Sequence, residues 1–389
     1  MEYFSIIQSL CRSTLSSSQE VTLHQINRLA TALNKDGYIK EAKSIESILN
    51  AAKKKEEILP ENIRVSTTLY GELLTPQVQI PVDKETAAPI LEIIFPEQLP
   101  SNEPIFEKDI KEAVDSVVLE WKNYDKLVEL NATPSRSCLI FGDPGTGKTH
   151  LANWMARQLG LPIVLAKLDG IVSSFLGTSS RNIGNLFNFS NRYKCVLLLD
   201  EFDAIAKLRN DPQEVGEVKR IVNSLLQCLD VRNNIGFTIG VTNHELLLDS
   251  AIWRRFDVQI KIPEPSINII PNLLKNFLYP LEYSEVEIKF LSWCLSGSSG
   301  ADIQKFTNWL KRMKVIQYKE SLINLMRRFI ILNTGRISEK VKNIINASDD
   351  EIILALLEEK TFEFKKKDIA RIYNITPSSL SKQISKTNK

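Results

Sequence analysis

Residues 142–149 read GDPGTGKT and lie between a short apolar stretch, 137–141, and a helix-like segment, 150–159. Strand, glycine-rich loop and helix in that order constrain the fold more than any other feature of the chain. The spacing fits GxxxxGK(S/T), a loop whose backbone N–H groups surround phosphates while the helix start adds a positive dipole end. Gly142, Gly145 and Gly147 permit that close backbone approach. With Asp143, Pro144, Thr146 and His150 they make the expected nucleotide cradle. Lys148 is expected to reach the β- and γ-phosphates, and Thr149 to set its hydroxyl on Mg²⁺. A loop of this kind specifies a nucleoside triphosphate and leaves open what is done with it.

Further segments narrow the chemistry. The apolar run 195–199 ends in Asp200 and Glu201, and carboxylates at the carboxyl end of a buried parallel strand face the ligand crevice. Asp200 is expected to hold Mg²⁺ through water, and Glu201 to polarise the attacking water as general base. The pair follows Lys148 at the distance a βαβαβ unit needs. Another run, 235–241, ends at Thr242 and Asn243, where the asparagine can orient that water. Beyond it, Arg254 and Arg255 are adjacent in LDSAIWRRFD, placed to enter a neighbour's nucleotide site.

The apolar runs 137–141, 162–166, 195–199 and 236–241 suit strands buried on both faces of a parallel sheet, so the fold class is α/β. The reading divides the chain into an N-terminal helical hairpin or bundle at 1–58 and a proline-rich linker with one or two short strands at 59–104. An α/β nucleotide domain follows at 105–264, a helical lid at 265–330, and a helical extension at 331–389. A formal charge of +2 makes no argument for nucleic acid or membrane by itself. Five scattered cysteines and three scattered histidines form no metal-ligand cluster, and reduced thiols point to the cytoplasm. No stretch has the length and apolarity of a signal peptide core or a membrane span.

At this point the sequence resembles the AAA module of the AAA+ ATPases, across 105–313, about half the chain. GDPGTGKT, LLLDEFDAI, GVTNHELLLDSAIWRRFD and SGADI occur in that family's order and spacing. The resemblance implies a P-loop ATPase with a helical lid, in which Lys148 belongs to Walker A, Asp200 and Glu201 to Walker B, and Asn243 is sensor 1. It aligns Arg254 and Arg255 with the arginine fingers, and it places Gly300 and Ala301 where the lid closes over ATP. Many members have a glycine between the two arginines and this chain does not, which leaves open which of them is the finger. The family implies a homo-oligomeric ring, usually a hexamer, with ATP between subunits. Residues 168–187 are similar to the family's first pore loop, with Phe175, Leu176 and Gly177 as the triplet that grips polypeptide. A core role for Phe175 is the plainer alternative.

Residues 365–385 have the pattern of a helix-turn-helix. Ile369, Ala370, Tyr373, Leu380 and Ile384 would pack inward, Asn374 suits a positive φ, and Thr376 and Pro377 suit a helix start. Seven Lys/Arg against two Asp/Glu in 361–389 make nucleic acid one reading of this unit and a protein contact the other. The primary expectation is a cytoplasmic ring ATPase that remodels or translocates a protein client. The alternatives are a DNA-associated ATPase anchored by 365–385, and a nucleotide switch controlling a partner. The layout is similar to bacterial stand-alone AAA ATPases found beside a subtilisin-like protease, which would make that partner a protease.

Overall fold

In the computed structural model, alternate residues of the strands at 137–141, 163–166 and 196–199 feed two different hydrophobic cores, the signature of a sheet covered on both faces. The structure describes residues 71–387 except 169–170, 172–177, 204–214, 233–235, 249, 318–319, 334 and 336, together with residues 29, 31, 33 and 38. Leu29, Thr31 and Leu33 are helical; the rest of the helical reading of 1–58 and the triplet Phe175, Leu176 and Gly177 lie outside the described residues. The chain divides into two units, Met1–Thr67 and Thr68–Lys389, and the second carries the sheet and the helices that pack on it.

Its six strands are β1 (Leu91–Ile94), β2 (Ser137–Phe141), β3 (Ile163–Ala166), β4 (Val196–Leu199), β5 (Phe237–Thr242) and β6 (Val258–Lys261), ordered β1-β3-β4-β5-β2-β6. All neighbours are parallel except β1, which runs antiparallel to β3 with Leu91 opposite Ala166. The proline-rich stretch therefore supplies an edge strand: Pro89 and Pro96 flank β1, where a missing N–H costs no ladder bond. β6 has no counterpart among the apolar runs of the sequence. It is a short edge strand with only Ile260 buried, too little to stand out by hydrophobicity.

Among the described residues four long helices cover the sheet, α1 (Lys108–Lys122), α2 (Lys148–Gln158), α3 (Ser179–Arg192) and α4 (Val215–Arg232), with short helical turns at Tyr124–Glu129 and Ser250–Trp253. Val117, Trp121, Leu151 and Met155 from α1 and α2 meet Cys138, Ile140 and Leu198 on one face. Ile183, Phe187, Leu225 and Leu229 from α3 and α4 meet Leu139, Leu197 and Leu199 on the other. Cys138, Cys195 and Cys294 are buried free thiols. A buried cation closes the edge of the second core: Arg232 donates to the carbonyls of Ser190 at 2.6 Å and Cys195 at 2.7 Å, joining the end of α3 to the start of β4. Gly236 leaves room for it, since a Cβ there would fall 2.6 Å from its Nη2.

Beyond residue 265 the described helices are α5 (Ile270–Leu278), α6 (Glu285–Cys294), α7 (Gly300–Ile316), α8 (Leu322–Leu332), α9 (Glu339–Asn346), α10 (Asp349–Glu358), α11 (Lys366–Ile372) and α12 (Pro377–Thr387). One core runs from Ile270 through Phe306, Phe329 and Ile352 to Leu380. The lid and the C-terminal extension are thus one folded body, although the sequence reading divides them at 330. No helix among the described residues is long and apolar enough to cross a membrane.

Candidate functional site

Every strand that carries a candidate polar residue delivers it at its carboxyl end, so topology alone gathers them on one edge of the sheet. Gly142, Gly145 and Gly147 have φ of 140°, 79° and 100°, conformations that favour glycine. At Gly142 a Cβ would lie 2.1 Å from the carbonyl oxygen of Ile262, so the loop also depends on glycine to pass the chain beyond β6. α2 begins at Lys148, immediately after the loop. The Lys148 ammonium donates to the carbonyls of Gly142 at 2.8 Å and Asp143 at 2.6 Å. Burial pushes its pKa down, opposed by the carboxylates of Asp143, Asp200 and Asp203. A triphosphate entering the loop offers this cation better partners than two neutral carbonyls.

Thr149 Oγ1 donates to Asp200 Oδ2 at 3.0 Å, bringing together the two residues expected at the metal. The neighbouring Glu201 is exposed and has a φ of 52°, an uncommon conformation for a non-glycine residue. Its N–H donates to Asp200 Oδ1 at 2.9 Å, which holds that turn. Asn243 follows β5 and faces the same cavity as Glu201.

A residue absent from the sequence expectations connects these parts. Asp203 is buried, and its Oδ1 accepts from Thr242 Oγ1 at 3.2 Å and from the Asn243 N–H at 3.5 Å. It therefore fixes the tip of β5 relative to the turn after β4. Only the spacing of a second acid, DEFD, could have flagged it. Replacing Asp203 with alanine strands a buried hydroxyl and an amide, at a cost of about 1–3 kcal/mol in unfolding free energy. Denaturant titration reads that loss. Displacing Asn243 is expected to lower kcat by up to about 10²-fold with KM little changed, which steady-state kinetics on the folded variant measures.

The cavity is about 670 Å³ and is closed on one side by the lid. Ser299 caps α7 by accepting from the Asp302 N–H at 3.2 Å, and the Ala301 N–H donates to the Gly145 carbonyl at 2.9 Å. Lid and phosphate loop thus touch directly; a Cβ on Gly145 would lie 2.8 Å from Ser299 Oγ. Gly300, Ala301 and His150 line the cavity. The cavity also has an apolar part not foreseen in sequence, lined by Ile105, Phe106, Ile269, Leu273 and Phe277. A heterocyclic base suits such an apolar lining. These residues sit at core-like spacing, so nothing in the sequence separates them from packing residues.

Arg254 and Arg255 do not line this cavity. Arg255 is half-buried and pairs with Asp230 at 3.2 Å, and its Nη1 donates to the Ala251 carbonyl at 2.8 Å. Arg254 is exposed, and its side chain has no partner among the described residues. Among the described residues no group of three His, Cys, Asp or Glu side chains could hold a metal ion unaided. Thr149 and Asp200 are instead the sparse oxygen set that suits Mg²⁺ carried in by phosphates.

Comparison with known proteins gives the same picture. The profile of the ATPase family associated with various cellular activities (AAA) matches residues 138–264. An uncharacterized AAA family ATPase, y4kL, from Sinorhizobium fredii is 35% identical over 252 residues, covering 64% of this chain and 74% of the relative. The ATP-dependent zinc metalloprotease FtsH of Parabacteroides distasonis is 29% identical over 236 residues, 57% of this chain and 34% of that protein. FtsH of Aquifex aeolicus is 28% identical over 225 residues, 55% of this chain and 35% of that protein. The chain thus spans about a third of the length of these two metalloproteases.

Proposed function

The chain belongs to the AAA family of ATPases and is an ATP hydrolase, and from that premise we propose that it works as a homo-oligomeric ring, a hexamer, that remodels or translocates a protein client. The observation that carries the ring is the division of the polar groups. The cavity gathers Lys148, Thr149, Asp200, Glu201 and Asn243, while Arg254 points to solvent elsewhere on the same unit. A second copy presenting Arg254 to this cavity would complete it, with Arg255 braced by Asp230 behind.

Each side chain then has a defined task. Lys148 leaves its two carbonyls for the β- and γ-phosphates, and the base lies between Phe106 and the lid. Mg²⁺, held by Thr149 and Asp200, would supply charge neutralisation at the phosphates. Glu201 takes the proton of the attacking water, and Asn243 orients that water. Arg254 answers the charge that develops on the transferred phosphoryl group.

A protein client is favoured by the triplet Phe175, Leu176 and Gly177 directly ahead of α3, in the segment where the sequence resembles a pore loop. An aromatic on such a loop grips an extended chain through apolar area without reading its sequence. Phe175→Ala is expected to keep ATP hydrolysis within about twofold, because the proposed client-gripping role asks nothing of it in the ATP chemistry. It should abolish ATP-dependent unfolding or release of a client. Parallel ATPase and client assays check this; a fully active Phe175→Ala would remove the loop from client handling.

A further inference from the structure

We infer that the C-terminal helix-turn-helix is a binding face for duplex DNA, a function separate from nucleotide hydrolysis and from the protein client. α11 and α12 are joined by residues 373–376, the turn length of the DNA-binding motif. Asn374 has a φ of 57°, and Thr376 Oγ1 accepts from the Ser379 N–H at 3.2 Å, so the turn is built as such turns require. Ile369, Ala370 and Leu380 are buried, with Tyr373 and Ile384 packed beside them, which fixes the two helices against α6 and α10.

What this packing leaves outside is polar apart from Pro377. On α12 the exposed stripe is Ser378, Lys382 and Ser385 at helical spacing, with Ser379 and Ser381 beside it. Lys365, Lys366, Lys367 and Arg371 are exposed at and along α11. None of these five cations, Lys382 included, forms an ion pair among the described residues. The neighbouring acids are largely committed. Asp368 is buried near Lys289 at 3.5 Å, Asp349 pairs with Arg327 at 2.8 Å, and Asp350 accepts from Gln383 at 2.7 Å. No large apolar side chain is exposed among the described residues from 333 onward, and a protein interface would want one at its centre. Unpaired lysines around a serine-lined helix match phosphates flanking a groove: cations hold the backbone, and short hydroxyls reach base edges. Because this unit shares its core with the lid, and the lid touches the phosphate loop, duplex bound here would sit on the part of the molecule that closes over nucleotide.

The test is fluorescence anisotropy of a labelled DNA duplex with the full chain, across a series of salt concentrations. Binding should weaken linearly in log–log form as salt rises. The triple variant Lys366→Glu, Lys367→Glu, Lys382→Glu should bind at least about tenfold more weakly and lower the salt slope by about three, one per lysine. Its basal ATP hydrolysis should be unchanged, which shows that it folds. Reversal of Lys122 and Lys126, exposed on the other body of this unit, should leave duplex binding intact. Absence of duplex binding at low salt, or binding indifferent to the triple reversal, overturns the inference. A purified client whose binding is lost in that variant, with no duplex binding by the parent, assigns the face to a protein instead.

Discussion

Replacing Arg254 and Arg255 together with alanine is expected to slow ATP turnover by about 10³–10⁵-fold, roughly 4–7 kcal/mol of transition-state stabilisation, while ATP affinity changes little. The reason is that neither arginine lines the cavity of its own chain. What they supply is felt only when charge develops on the phosphoryl group, so kcat carries the loss and binding does not. The single variants divide the roles. Arg254→Ala removes the exposed cation and should account for most of the effect. Arg255→Ala breaks a partly exposed ion pair with Asp230, worth about 0–1 kcal/mol in stability, and acts on turnover through the position of its neighbour. Equal losses at both positions would make the pair a joint donor. Normal hydrolysis by the double variant would exclude both.

The second large effect belongs to Glu201. Exchange for glutamine keeps the shape of the side chain, and the N–H of residue 201 still donates to Asp200 Oδ1, so the unusual backbone of this turn is retained. What disappears is the group that accepts the proton of water, and general-base loss is expected to cost about 10²–10⁴-fold in turnover. Nucleotide binding should persist, since Lys148, Thr149 and the lid contact at Gly145 are untouched. Single-turnover hydrolysis beside equilibrium ATP binding separates the two. Lys148→Ala has the opposite signature, because it removes the cation that meets the phosphates and so should lose binding together with turnover.

The nucleotide cradle was legible in sequence because its physics is local. Residues 142–149 carry the glycines, the cation and the hydroxyl in one short run, and their φ values are those such a loop demands. The tips of β4 and β5 were legible for a related reason: a largely apolar run that stops at Asp200 or Asn243 announces its polar end. Features that depend on distant partners did not show. Phe106 and Phe277 come together only when the lid folds back over the segment before α1. Asp203 looks like one more acid in a turn until Thr242 is placed beside it. Arg232 reads as a surface cation at a helix end, yet it is buried on two carbonyls that lie 42 and 37 residues away in sequence. The helix-turn-helix was visible through Asn374, Thr376 and Pro377, whereas its common core with the lid was not, because that core is assembled from helices spread between Ile270 and Leu380.

Mixing two inactive proteins tests most directly whether catalysis needs two chains. Lys148→Ala cannot hold ATP but keeps both arginines; the double arginine variant holds ATP but has no cation to lend. At a seam between them, the arginines of the first face the loaded cavity of the second. Catalysis in trans predicts that the mixture hydrolyses ATP well above the sum of its separate components, with a maximum at an intermediate ratio. Activity that never exceeds that sum, in samples shown to have co-assembled, would place every catalytic group within a single chain.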